Sequence, residues 1–318
     1  MKRCIVLLAG MLAAACGSPE EVDSVGSKGW KTIDMSHGTM YRMDSTAGAG
    51  IAARPLDVWV PSSYDGSVPH NVLYMFDGQM LFDATTTWNK QEWGVDEVLD
   101  SLIEAGLVAP TIVVALHQSQ ARFMEYFPQT AFEAMPEQLR DSLTAAVAKG
   151  YGHELPKSPL SNAYLRYVVE EVAPLVASEF AVNEGPQHTA VMGSSMGGLM
   201  SMYAIGQRPD VFGTACCLST HWPGGFSDQN NPVPSYFEAY LRQKVLPEGR
   251  RVYFDLGDQT LDALYPPYQE QMDAAMRESG WVRGINWETR HFPGAAHDEI
   301  SWAARLHIPL QFAFGTES

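Results

Sequence analysis

The stretch best suited to chemistry in this sequence is Gly193-Ser194-Ser195-Met196-Gly197. A serine at its ordinary pKa is a poor nucleophile. It becomes reactive when a base takes its proton and nearby donors receive the charge it creates. The pattern G-x-S-x-G suits such a serine when a strand runs into it and a helix leaves it. The sharp turn then lifts Ser195 Oγ clear of the backbone, and glycines avoid the collisions that side chains would cause there. Here "HTAVM" precedes the motif and "GGLMSMYAI" follows it. The start of that helix adds N–H donors and the positive end of a dipole. Ser194 is one residue out of phase and is read as a turn residue facing away.

A base must come from nine histidines. His37, His70, His117, His153 and His188 precede the serine, against the order serine, acid, histidine expected of this turn. His291 in an alternating strand and His307 on the last helix read as structural. His297 lies in "FPGAAHDE", a small-residue loop between the last strand and the last helix, and is the expected base. His221 in "LSTHWPGG" follows the next strand and is expected to line the pocket beside Trp222. The acid that orients the imidazole should follow the strand "RVYFDLG", in "GDQTLDALY". Asp258 and Asp262 both fit, while Asp255 sits inside the strand. For the oxyanion, one backbone N–H comes from Met196. The second is expected from Gln79 in "DGQMLFD", where Gly78 permits close approach. Asp77 and Asp83 lack EF-hand spacing, and zinc-type or phosphate-loop motifs are missing. Neither a metal nor a cofactor is therefore expected.

The elements that would position these residues follow from periodicity. "WKTIDM", "TMYRMD" and "RPLDVWVP" read as antiparallel strands. Then apolar strands alternate with amphipathic helices: "NVLYMF" (71–76), a helix over 95–106, "TIVVAL" (111–116), a long helix over 162–180 with a kink at Pro174, and "HTAVMG" (188–193). A helix over 196–206, "VFGTACCLS" (211–219), "RVYFDLG" (251–257), a helix within 264–279, "INWETRHF" (285–292) and a single helix over 300–315 complete the chain. This alternation predicts a mainly parallel sheet with helices on both faces, in one α/β domain spanning 30–318. Residues 118–160 break the pattern and read as an insertion over the site. Cys216 and Cys217 should point to opposite faces of a strand as small buried hydrophobes.

The chain has 318 residues, 46% hydrophobic and 18% charged, with a formal net charge of -16. Such a charge disfavours nucleic acid and anionic membrane surfaces as partners. At the N-terminus, Lys2 and Arg3 precede "CIVLLAGMLAAAC". That apolar run suits a signal peptide over 1–15 rather than a membrane span. Cys16 is the expected lipidation site, and residues 16–29 form a polar tether. Membrane contact is then through the lipid alone, with the protein exported to the periplasm or outer membrane.

"VLYMFDGQMLFD", "GSSMGGLMS", "YFDLGDQTLDALY" and "FPGAAHDEISWAARL" together resemble the "putative esterase" family of α/β-hydrolases, in order over residues 55–315. That family includes siderophore esterases, feruloyl esterases, S-formylglutathione hydrolases and mycolyltransferases. The resemblance implies the α/β-hydrolase fold, Ser195 as nucleophile, His297 as base and an oxyanion hole at the "DGQ" loop. It favours Asp262 over Asp258, because the family's acid usually lies three to five residues beyond the strand-ending glycine, here Gly257. "SQARFMEYFP" resembles the segment that places an arginine and an aromatic near substrate, so Arg122 and Tyr126 are expected there. An Arg122–Glu125 surface pair is the structural alternative. Trp88, Trp93 and Trp222 could stack on a sugar or aromatic acyl group, with at least two of them expected in the core. The implied activity is hydrolysis of a carboxylic ester, small-molecule or carbohydrate, through an acyl-enzyme. Acyl transfer on the same scaffold, or a non-catalytic binding lipoprotein, are the alternatives.

Overall fold

The computed structural model describes residues 29–226 and 230–316. The expected signal peptide, Cys16 and most of the tether lie outside them. Nine strands form one sheet: β1 (Lys31–Asp34), β2 (Thr39–Thr46), β3 (Arg54–Val60), β4 (Asn71–Phe76), β5 (Thr111–Leu116), β6 (Thr189–Ser194), β7 (Thr214–Leu218), β8 (Arg251–Leu256) and β9 (Trp287–His291). Their spatial order is β1-β2-β3-β5-β4-β6-β7-β8-β9. The first three are antiparallel, and β3 joins β5 antiparallel. From β5 through β9 every pairing is parallel. This is the α/β-hydrolase arrangement that the sequence pattern predicts.

The central strands are buried on both faces, which is why they read as unbroken apolar runs rather than alternating ones. Tyr74, Phe76, Val114, Val191 and Cys217 pack on one face with the helices Met196–Gln207, Val233–Lys244 and Pro266–Glu278. Leu73, Met75, Val113, Met192 and Cys216 pack on the other, with Val95–Glu104 and the C-terminal helices. The adjacent cysteines thus divide between the two cores as free, buried thiols.

Two helices depart from their predicted form. The long one runs as Ser161–Arg166 and Ala173–Glu179 with a π-helical turn, Tyr167–Val172, between. The widened turn lies just before Pro174, whose missing N–H and ring disfavour the ordinary bond. The C-terminal helix is two pieces, Glu299–Ala303 and His307–Phe314. Pro309 accounts for the break, since it cannot donate to the Arg305 carbonyl and its ring crowds that group. The insertion folds as Arg122–Tyr126, Gln129–Glu133 and Glu137–Tyr151. A buried ion pair anchors it to β3: Arg54 Nη1 donates to Glu125 Oε2 at 2.9 Å and Nη2 to Oε1 at 2.5 Å.

Candidate active site

Ser195 joins β6 to the helix Met196–Gln207 at φ 57°, ψ −119°. Few non-glycine residues adopt such a backbone, so the surroundings must enforce it. They do so through hydrogen bonds to the neighbouring strand end. Ser195 N–H donates to the Leu218 carbonyl at 2.9 Å, and His221 N–H donates to the Ser195 carbonyl at 3.1 Å. The glycines let these backbones close up. A Cβ on Gly193 would lie 2.8 Å from the Gly197 carbonyl carbon, and one on Gly198 would lie 2.8 Å from Thr220 Oγ1.

His297 is held by the loop after β9. Its N–H donates to Thr260 Oγ1 at 2.8 Å, and its ring lies edge-on to Trp302 and Tyr265 at 5.1 and 5.6 Å. Its Nδ1 is 2.5 Å from Asp262 Oδ1. An ionised carboxylate only accepts, so Nδ1 carries the proton and Nε2 is left as the basic nitrogen. Asp262 is fully buried, and its Oδ2 accepts from Ser219 Oγ and Gly257 N, each at 2.6 Å. Burial pushes its carboxyl up. The bond and charge of His297, with the bonds from Ser219 and Gly257, outweigh burial and hold it below the usual carboxylate range. Asp262 is therefore built to stay charged beside an imidazolium. Asp258 is placed elsewhere. It accepts from Gln259 Nε2 and Gly294 N, and its nearer histidine is His291, at 3.8 Å.

Ser195 and His297 open on one cleft of about 1230 Å³. Gln79 lines the same cleft, in the short 3₁₀ turn Gly78–Met80 after β4. A Cβ on Gly78 would lie 2.7 Å from the Ala115 carbonyl carbon, so glycine permits this turn to press on β5. β4 and β6 are parallel neighbours. The Gln79 turn and Met196, first residue of the helix after β6, therefore emerge at the same sheet edge.

The other expected binding residues are placed differently. Arg122 lines the cleft, but its guanidinium is held by Asp77 through two bonds of 2.6 and 2.7 Å. It does not pair with Glu125, which Arg54 occupies. Tyr126 is fully buried beneath Arg122, with its hydroxyl accepting from Asp77 N–H at 3.3 Å, and does not line the cleft. Trp222 is also a core residue, donating to Gln269 Oε1 at 2.8 Å and packing on Phe254. His221 is buried behind the serine. Its Nε2 faces the Gly225 carbonyl at 3.1 Å, so that nitrogen carries the proton and Nδ1 accepts from the Tyr265 hydroxyl at 2.8 Å. Tyr126, Trp222 and His221 thus fill the space beneath the cleft, where each finds a buried hydrogen-bond partner, and do not line it. Of the three tryptophans, Trp88 is 81% exposed on the rim, whereas Trp93 lines the cleft while packed on Trp302.

Sequence reasoning missed Tyr265, Ser219 and Trp302. Tyr265 is fully buried between His221, the partner of its hydroxyl, and the His297 ring. Burial, then the charge of Asp262, push its phenol well above the ordinary range, so it stays protonated. The available signal was its spacing of three from Asp262 in "LDALY", which one helical turn brings together. Ser219 joins two acids: it donates to Asp262, accepts from Trp302 Nε1 at 3.0 Å and from Arg305 Nη2 at 2.9 Å, and Arg305 also holds Asp255 at 2.9 Å.

Residues 52–311 match the family described as "Putative esterase". The chain belongs to this family. The Bacillus subtilis (strain 168) protein YbbA is 26% identical over 173 residues, 53% of this chain and 58% of its own length. Solved structures share the fold at low identity. A ferulic acid esterase from Anaeromyces mucronatus, in complex with ferulic acid, has a TM-score of 0.56 at 17% identity, covering 88% of this chain and 92% of its own. The enterobactin esterase of Shigella flexneri, in the presence of enterobactin, has a TM-score of 0.57 at 17% identity, covering 89% and 58%. The solved structures show the fold, and membership of the family supports ester hydrolysis as the class of reaction.

Proposed function

We propose that the protein is a serine esterase that works through an acyl-enzyme. The observation that carries this is the strained Ser195 turn sharing one cleft with His297, whose ring Asp262 holds at 2.5 Å. Ser195 Oγ attacks the ester carbonyl while His297 Nε2 takes its proton, and Asp262 stabilises the imidazolium. The backbone N–H groups of Met196 and Gln79 receive the oxyanion. His297 then returns the proton to the departing alcohol, and water repeats the sequence to release the acid. Each oxyanion donor contributes about a hundred- to a thousand-fold in rate.

The cleft supports an ester with a hydroxyl-rich component. Its volume exceeds the usual range of about 300–1,000 Å³ for small-molecule sites. Its lining carries the carboxamides of Gln79, Asn89, Gln91, Gln118 and Gln120 together with the Trp88 and Trp93 indoles. Amides bond to hydroxyls and indoles stack on sugar or phenolic rings. The similar fold solved in complex with ferulic acid is in keeping with a phenolic acyl group stacked on these indoles.

Ser195→Ala tests the mechanism. It should lose p-nitrophenyl acetate hydrolysis and labelling by a fluorophosphonate, with an unchanged circular dichroism spectrum. Full residual activity in a pure preparation, or failure of the wild type to label, would overturn it. A screen over acetyl-xylan, feruloyl and catecholate esters tests the substrate class.

A further inference from the structure

Away from the cleft, the turn between β1 and β2 meets the first turn of the helix Val95–Glu104. One donor atom each from His37, Asp96 and Glu97 lie within 4.8 Å of one another. Asp96 is 0% exposed, and its Oδ1 has no hydrogen-bond partner. Its remaining oxygen accepts only a long bond from Ser36 Oγ, at 3.3 Å. Glu97 Oε2 is likewise buried and unpartnered. Two neighbouring carboxylates, each with one buried oxygen that lacks a donor, are costly to keep out of water. A positive charge between them would satisfy both oxygens, and the half-buried imidazole of His37 supplies a third donor on the neighbouring turn.

We propose that His37, Asp96 and Glu97 form a divalent-metal site of the zinc type, tying the β1–β2 turn to the helix that begins at Val95. One imidazole and two carboxylates suit Zn²⁺, with Mn²⁺ a weaker occupant. Ca²⁺ is disfavoured, because it takes six to eight oxygen ligands. The role is structural. Trp93, two residues before that helix, lines the cleft and packs on Trp302 at 5.5 Å, which in turn packs on His297 at 5.1 Å. A metal here would brace this wall from outside without touching the reacting groups. The inference stands independently of the esterase reading, since none of the three residues lines the cleft.

The purified full chain, stripped with chelator, is titrated calorimetrically with Zn²⁺ and, separately, with Mn²⁺. The expected result is one Zn²⁺ per chain, bound more tightly than Mn²⁺, with a rise in melting temperature of about 4 °C at saturation. His37→Ala, at a half-buried turn position, should weaken binding by at least about tenfold while the apo protein keeps its melting temperature. Asp96→Asn should abolish binding. His297→Ala should leave it unchanged, which separates this site from adventitious zinc on the histidine of the cleft. No binding at about 100 μM Zn²⁺, or binding undiminished in His37→Ala, would overturn the proposal. Because His37→Ala decides, a folding failure of Asp96→Asn leaves the test intact.

Discussion

Asp262→Asn is the sharpest single perturbation of the proposed mechanism, because the structure dictates how the amide must sit. Oδ2 of Asp262 accepts from two fixed donors, Ser219 Oγ–H and Gly257 N–H, each at 2.6 Å, while Oδ1 faces His297 Nδ1 at 2.5 Å. In the asparagine variant the carbonyl oxygen stays with the two donors. The amide NH₂ then faces Nδ1, and two donors cannot share that bond. His297 must give up its Nδ1 proton and carry it on Nε2, the atom that has to accept from Ser195. The base is present but in the wrong tautomer. Loss of tautomer and of imidazolium stabilisation in serine triads lowers kcat by about 10⁴, or about 5.5 kcal/mol of barrier at ~1.4 kcal/mol per tenfold. The assay is p-nitrophenyl acetate hydrolysis by Asp262→Asn and Asp258→Asn, alongside melting curves to verify that both fold. Asp258→Asn should stay within about twofold, because its carboxylate reaches Gly294 N and Gln259 rather than His297. A folded Asp262→Asn keeping a tenth or more of wild-type activity would refute the reasoning, as would a large loss in Asp258→Asn.

Three further outcomes follow from the same geometry. Unfolded histidine takes up a proton below about pH 6.5, whereas burial, then repulsion by His297, lower folded His221 to about 3. Unfolding therefore binds a proton across that window, and stability should fall by up to about 1.4 kcal/mol per pH unit on acidification. Urea unfolding at several pH values should show a shallower dependence in His221→Gln, and equal slopes would sink the assignment. Glu125→Ala strands the 2%-exposed Arg54 without its partner, and should cost about 3–5 kcal/mol in denaturant unfolding. A loss under about 1 kcal/mol would mean that Arg54 finds another acceptor. For the proposed lipid anchor, metabolic labelling with palmitate should mark the wild-type chain and be lost in Cys16→Ala. Equal labelling of both would place the lipid elsewhere.

Much of the architecture was readable from local pattern. Strands β4 and β5 coincide with the runs "NVLYMF" and "TIVVAL", because strands buried on both faces are built mostly of apolar residues. The positions of Ser195 and His297 were readable for a related reason: each is defined by its place between a strand and a helix, and that order is a property of the chain. Helix continuity around Pro174 and Pro309 was less legible, since proline marks where a helix is disturbed without saying how the neighbouring turns absorb it.

What only tertiary structure decided was the partner of each charged or aromatic group. "GDQTLDALY" offers two aspartates shortly after β8. Asp262 meets His297 because the 3₁₀ turn Thr260–Leu264 swings it inward beneath the Ala295–His297 loop. Arg122 and Glu125 are neighbours in sequence, yet each is claimed by a residue at least 45 positions away, Asp77 and Arg54. Tyr265 reaches His221 and His297, each on a separate loop. Sequence alone indicated most of the strands and helices and set Ser195 and His297 each between a strand and a helix, because hydrophobic period and turn chemistry are local. The pairing of buried charges and the lining of the cleft are decided by distances across the sheet, which linear spacing does not encode.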